Sequence, residues 1–189
     1  MLLWYPLIAS YVTYEMYVNT VCPFALTGIM CADITEVPIT FKYVPLSYEL
    51  SMDEVRADMG NKYVTNDLWK IRREFEEETS HKTVPVLVVS EPLSKKTHFV
   101  RESENVCRYL DNGSIFPQTA MFWDRYHLIT SAASTGGREW YQSKEVQSNM
   151  VSFLSESAFL SGDRPGFLDI VLYRSVVRQV SFNETFFGN

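Results

Sequence analysis

The chain carries no Cys-x-x-Cys pair, no glycine-rich phosphate loop, no run of basic charge and no internal repeat, and each absence removes a class of function. Of its 189 residues, 17 are Lys or Arg and 23 are Asp or Glu, for a net charge of −6. Nucleic acid demands a basic face, so it is not an expected partner. The first fourteen residues are apolar but lack a cationic start, contain Pro6 and end at Glu15. That is short of the roughly 20 residues a membrane helix needs, so they read as a leader strand or extension, and no membrane partner is expected. The histidines His81, His98 and His127 are scattered, with no carboxylate at ligand spacing, which predicts no metal site. There are only three cysteines, an odd number at unpatterned spacing. Free thiols in a reducing, cytoplasmic compartment are the expectation, and there the sequons Asn112-Gly113-Ser114 and Asn183-Glu184-Thr185 are incidental.

What is present describes a globular protein. Hydrophobic residues make up 46% and charged residues 21%, enough to bury a core without disulfide or metal staples. A β-rich stretch near Thr13 to Asn19 is followed by Cys22-Pro23-Phe24-Ala25. A cysteine where a strand turns into a helix sits among unpaired N–H groups and the positive end of the helix dipole, which favour thiolate. Proline directly after it suits the first helical turn. This makes Cys22 the candidate nucleophile, on a helix expected from Pro23 to Cys31. Cys31 is nine residues further along, about 13 Å at 1.5 Å per residue, too far for a disulfide with Cys22. Cys31 and Cys107 read as buried core thiols.

A strand at Ile39 to Val44 completes a βαβ unit. The polar segment 45–82 then carries a helix start at Ser51-Met52-Asp53-Glu54 and a helical face from Asn66 to Glu78. Thr83-Val84-Pro85-Val86-Leu87 places a proline where a strand begins, which a cis bond opening an edge strand explains. There the Val84 backbone is free to bind an extended thiol peptide. His98 to Arg101 completes a hairpin, and Glu102 to Asp111 reads as a helix stopped at Asn112-Gly113. Helices are expected at Gln118 to Ala133, Arg138 to Leu160 and Phe167 to Val180.

In this order, Cys-Pro-Phe-Ala, Val-Pro-Val-Leu, Glu102-Ser103-Glu104-Asn105 and Phe159-Leu160-Ser161-Gly162-Asp163-Arg164-Pro165-Gly166-Phe167-Leu168-Asp169 resemble the glutathione S-transferase superfamily. The Cys-Pro-Phe is most similar to the cysteine-type omega class and the chloride intracellular channel proteins. The resemblance implies an α/β plus all-α fold. A thioredoxin-like N-terminal domain would span residues 1–112, with a long insertion at about 45–82, and a reduced all-helical C-terminal-type domain would span 117–189. It implies glutathione as co-substrate, held by the backbone of Val84 at Pro85 and by Glu102 and Ser103 at its γ-glutamyl end, and it implies a homodimer.

The implied activity is glutathione-dependent thiol transfer or reduction through the single cysteine Cys22. The alternative is a catalytically inactive interaction or regulatory module that binds a protein partner through the 45–82 insertion. Two departures weaken the catalytic case. Gly28 lowers helix propensity by about 1 kcal/mol relative to alanine. Gly166 stands where the family usually has Ser or Thr, so Asp169 is expected to lose its reciprocal cap, worth about 1 kcal/mol. Tyr5, Tyr11, Tyr14 and Tyr17 could offer a hydroxyl to glutathione, although strand tyrosines usually serve packing.

Overall fold

A computed structural model describes residues 12–47, 49–50 and 67–186, with the side chains of 137–139 and 177–186 excepted. Four strands form one sheet: β1 (Thr13–Val18), β2 (Ile39–Tyr43), β3 (Val86–Glu91) and β4 (Lys96–Arg101), in the order β2-β1-β3-β4. β1 runs parallel to β2, as a crossover helix between them requires, while β3 is antiparallel to both β1 and β4. The helices are α1 (Pro23–Thr35), α2 (Asp67–Thr79), α3 (Ser103–Leu110), α4 (Ala120–Thr135), α5 (Lys144–Glu156) and α6 (Phe167–Phe186), with a 3₁₀ turn at Gly137–Gln142. An α/β unit thus precedes an all-helical one. The expected helix start at Ser51 lies outside the described residues, as do Tyr5 and Tyr11.

Val86 to Val89 are all buried, the continuous apolar run of a strand covered on both faces. This corrects the expectation of an edge strand: β3 is interior. Its proline is tolerated because Pro85 precedes the first ladder residue, Val86, so the missing N–H removes no sheet hydrogen bond. The single helix expected from Arg138 to Leu160 is also corrected. Ser143 takes extended backbone (φ −57°, ψ 131°) as the N-cap of α5 and separates the 3₁₀ turn from the helix proper.

The three free thiols of the sequence reading become one. Cys31 on α1 and Cys107 on α3 form a disulfide across 76 residues, with Cα atoms 5.5 Å apart, because the two helices pack side by side on the sheet. Both sulfurs are fully buried. Cys22 is the free cysteine, and the cysteines no longer imply a reducing compartment.

The two glycine departures have packing reasons. A Cβ on Gly28 would lie 2.9 Å from Met16 Sδ and 3.4 Å from Pro85 Cβ, so glycine lets α1 approach the strand carrying the cis proline. A Cβ on Gly166 would meet the Ile115 carbonyl at 2.8 Å and the Ser161 side chain at 2.8 Å, which leaves no room for Ser or Thr. Asp169 still caps: its carboxylate accepts from the N–H groups of Leu160, Ser161 and Gly166. The Ser161 hydroxyl accepts from Leu168 N–H at 3.1 Å and supplies, from the preceding turn, the reciprocal bond that Gly166 cannot make. The helical core around this turn is aromatic, with Phe116 stacked on Phe167 at 4.8 Å.

On the other face of the sheet, α2 is fastened to β1 by the Tyr17 hydroxyl, which donates to Glu78 Oε2 at 2.5 Å. Tyr17 is therefore a packing tyrosine. Burial, and then this bond to a carboxylate, push its pKa up to about 12.

Two outcomes follow from these contacts. Denatured without reductant, the protein should titrate one thiol with a thiol reagent, and after reduction three. Loss of the disulfide should lower stability by about 2–4 kcal/mol in a thermal or denaturant melt. Tyr17 holds its proton more tightly folded than unfolded, so its contribution is complete below pH 10 and is lost as pH rises towards 12. Tyr17→Phe should flatten that part of the stability curve in urea titrations between pH 9 and 11. An unchanged slope would show that the Glu78 bond does not set it.

Candidate functional site

Three separate chain segments reach one end of the sheet because the register leaves them nowhere else to go. Tyr17 pairs with Val86, and Val86 with Arg101. The chain leaving β1 towards Cys22, the chain entering β3 through Val84-Pro85, and the chain leaving β4 into Glu102-Ser103 are therefore neighbours.

Cys22 is the N-cap of α1, in extended backbone, with Pro23 in the first turn. Its thiol is partly exposed and makes no cap bond. Instead Sγ approaches the Val84 carbonyl at 3.8 Å, beside the cis Val84–Pro85 peptide. The turn that presents it is set by Asn19, a fully buried side chain that sequence reasoning missed. Asn19 Oδ1 accepts from Val21 N–H at 2.9 Å, and Nδ2 donates to the Val44 carbonyl at 3.0 Å and to Glu49 at 2.7 Å. An Asn closing a strand before a turn is the available signal, since its side chain hydrogen-bonds the backbone two residues on.

The loop before Val84 is fixed from α2. Arg72 is buried and donates to the carbonyls of Lys82 and Pro45 while pairing with Glu76 at 2.6 Å. Arg101 Nη2 reaches the Thr79 carbonyl at 2.7 Å, and the Thr83 hydroxyl meets His81 Nε2 at 2.8 Å. Helix α2, within the 45–82 segment, therefore fixes the loop that leads to Val84.

Ser103 opens α3 and is buried, while Glu102 before it has positive φ (69°) and an exposed side chain. Neither makes a side-chain cap: α3 has no cap hydrogen bond, and the Ser103 hydroxyl has no partner among the described residues. Among the described residues the Glu102 carboxylate pairs with His81 alone, at 3.9 Å. Glu104 behaves differently. Its Oε1 accepts from the Tyr126 hydroxyl at 2.5 Å and from Arg108 at 2.7 Å, which latches α3 to α4 and raises the Tyr126 pKa, through burial first and this bond second. Of the two acids flanking Ser103, Glu102 is the more loosely held and the more exposed.

From the helical side, Arg174 on α6 donates to the Thr27 hydroxyl at 3.2 Å and lies over the Phe24 ring at 5.2 Å. Burial lowers its pKa, opposed by the field of Glu104. Nothing in the sequence motif marks this residue. Tyr14, in contrast, pairs with Val89 towards the opposite end of the sheet. A cleft of about 680 Å³ between α4 and α5, lined by His127, Trp140 and Glu145 among others, contains none of the candidate site residues.

No protein-family model and no curated protein matches the sequence. Solved structures do match by shape. A trimeric glutathione transferase from Leishmania is 18% identical with TM-score 0.57, over 87% of this chain and 37% of its own length, so the chain spans well under half of that relative. Maleylacetoacetate isomerase from Anaeromyxobacter dehalogenans, crystallised with glutathione in its active site, is 15% identical with TM-score 0.58, over 92% of this chain and 84% of the isomerase. Glutathione transferase Omega 2C from Trametes versicolor is 14% identical with TM-score 0.60, over 95% and 77%. No helix among the described residues is long and apolar enough to cross a membrane.

If Ser103 is a ligand group and not a cap, Ser103→Ala should leave stability within about 0.5 kcal/mol and weaken glutathione binding roughly 10-fold or more, the worth of a hydrogen bond to a carboxylate. Calorimetric titration and a thermal melt on the same variant separate the two roles. The shape matches give the chain the fold of the glutathione transferases, a thioredoxin-like domain followed by a helical one.

Proposed function

We propose that this protein is a glutathione-dependent thiol transferase or reductase of the omega-like, single-cysteine kind, with Cys22 as nucleophile. The observation that carries the reading is the convergence of a partly exposed thiol at a helix start, the backbone of Val84 at 3.8 Å from it, and a hydroxyl at Ser103 with no partner among the described residues. Glutathione has a group for each. Its cysteinyl backbone pairs with Val84 beside Pro85, its γ-glutamyl carboxylate takes the Ser103 hydroxyl and the free N–H groups of the α3 start, and its amino group takes Glu102. Glutathione bound in a structural neighbour, and an omega transferase among those neighbours, support the assignment.

The chemistry is thiol–disulfide exchange. The Cys22 thiolate attacks the glutathionyl sulfur of a mixed disulfide, forming a Cys22–glutathione disulfide and releasing the other half as a thiolate that takes up a proton. A second glutathione thiolate attacks the glutathionyl sulfur of that adduct, giving oxidised glutathione and restoring Cys22. No resolving cysteine is required: Ala25 occupies the position a dithiol motif would use, and Cys31 is tied to Cys107.

Intact mass after incubation with oxidised glutathione should show one adduct, absent from Cys22→Ser. An unmodified native chain would overturn the assignment and leave the interaction-module reading.

A further inference from the structure

Three of the arginines that pack against the core share one habit. Arg72 pairs with Glu76 and Arg125 with Glu156, as charges removed from water require, and the more exposed Arg108 pairs with Glu104. Arg174 does not follow them. Among the described residues its partners are a neutral hydroxyl, Thr27, and an aromatic ring, Phe24. The acid whose field reaches it, Glu104, is already engaged by Tyr126 and Arg108. One Arg174 N–H is used, and the others have no protein acceptor among the described residues.

Its position gives that vacancy a use. Phe24 is two residues past Cys22, in the first turn of α1, and the residue is 47% exposed. The guanidinium carbon lies 5.2 Å from the centre of the Phe24 ring, a cation–π contact, and one N–H is held by the Thr27 hydroxyl, itself anchored to the Pro23 carbonyl at 3.1 Å. The result is an oriented fork beside the first turn that presents the thiol, suited to bidentate capture of a planar anion. It reaches the first turn of α1 from α6, and among the described residues it is bonded to none of the groups assigned to glutathione, Val84, Glu102 and Ser103.

We propose that Arg174 is a specificity residue that binds a carboxylate on the group joined to glutathione's sulfur, so that the second substrate is a small anionic thiol derivative. This rests on the glutathione reading above and names its substrate class.

Two stable thioethers test it without any Cys22 chemistry: S-(2-carboxyethyl)glutathione and its neutral isostere S-(2-carbamoylethyl)glutathione, titrated calorimetrically into the full chain. The acid should bind about 10- to 100-fold more tightly than the amide. Arg174→Met keeps the stem over Phe24 and should bring the ratio close to one. Arg174→Lys should recover part of it, as a point charge without the fork. A native ratio near one with the amide still bound overturns this inference alone, as does a ratio that survives in Arg174→Met. Failure of both ligands to bind the native chain overturns the glutathione reading and this inference with it.

Discussion

β3 is hydrogen-bonded on both sides by antiparallel partners, and the geometry of the site depends on that pairing. An antiparallel neighbour ends where β3 begins, so the exits of β1 and β4 are delivered to the entrance of β3 whatever the intervening loops contain. Cys22 and Val84, 62 residues apart in sequence, meet at 3.8 Å for this reason. A slip of one residue would turn the four buried positions of β3 onto the wrong faces. Both faces are covered, by α1 and α3 on one side and α2 on the other, so the register has no low-energy alternative.

Within that frame the decisive element is α1, because its first turn carries the thiol. Three unrelated contacts fix it. The Cys31–Cys107 disulfide ties its far half to α3, the absence of a side chain at Gly28 lets its middle settle on Met16 and Pro85, and Thr27 meets α6 through Arg174. Asn19 completes the arrangement by setting the turn that leads into Cys22. A helix start positioned by contacts along the whole helix holds the thiol without any capping bond, which leaves the N–H groups of the first turn for a ligand or a thiolate.

The parts of this arrangement that could be read in the sequence are those with local causes. Cysteine before proline at a strand end, proline before a run of β-branched residues, and a glutamate-serine pair after a short strand all act within a few residues, and the structure brings Cys22, Val84, Pro85, Glu102 and Ser103 to one end of the sheet. What could not be read depended on partners distant in sequence. A pairing of cysteines 76 residues apart has no local mark, nor does the interior place of β3, which depends on where β4 docks. The cap motif misled for a related reason: Gly166 looks like a lost serine until Ser161 is seen to occupy the space and make the bond. Gly28 likewise looks like a weakened helix until the cis proline is packed against it.

Arg174 shows how a local charge can act against the overall balance. With a net charge of −6 the chain as a whole repels anions, yet at physiological salt that repulsion fades over about 8 Å. Inside a cleft, selectivity therefore follows the nearest uncompensated group and not the sum. Holding a cation partly out of water without a direct ion pair is unfavourable in the free protein, and burial does lower the Arg174 pKa, opposed by the field of Glu104. The same imbalance that raises the energy of the empty site is relieved when an anion enters it, so the unfavourable term becomes a difference between ligands. An apolar group beside Cys22 would meet the Phe24 ring but leave the guanidinium as it was, while a carboxylate would satisfy both the fork and its charge. The proposed preference for an anion would thus arise from a guanidinium that the described residues leave without an ion pair, beside the helix turn that carries the free cysteine.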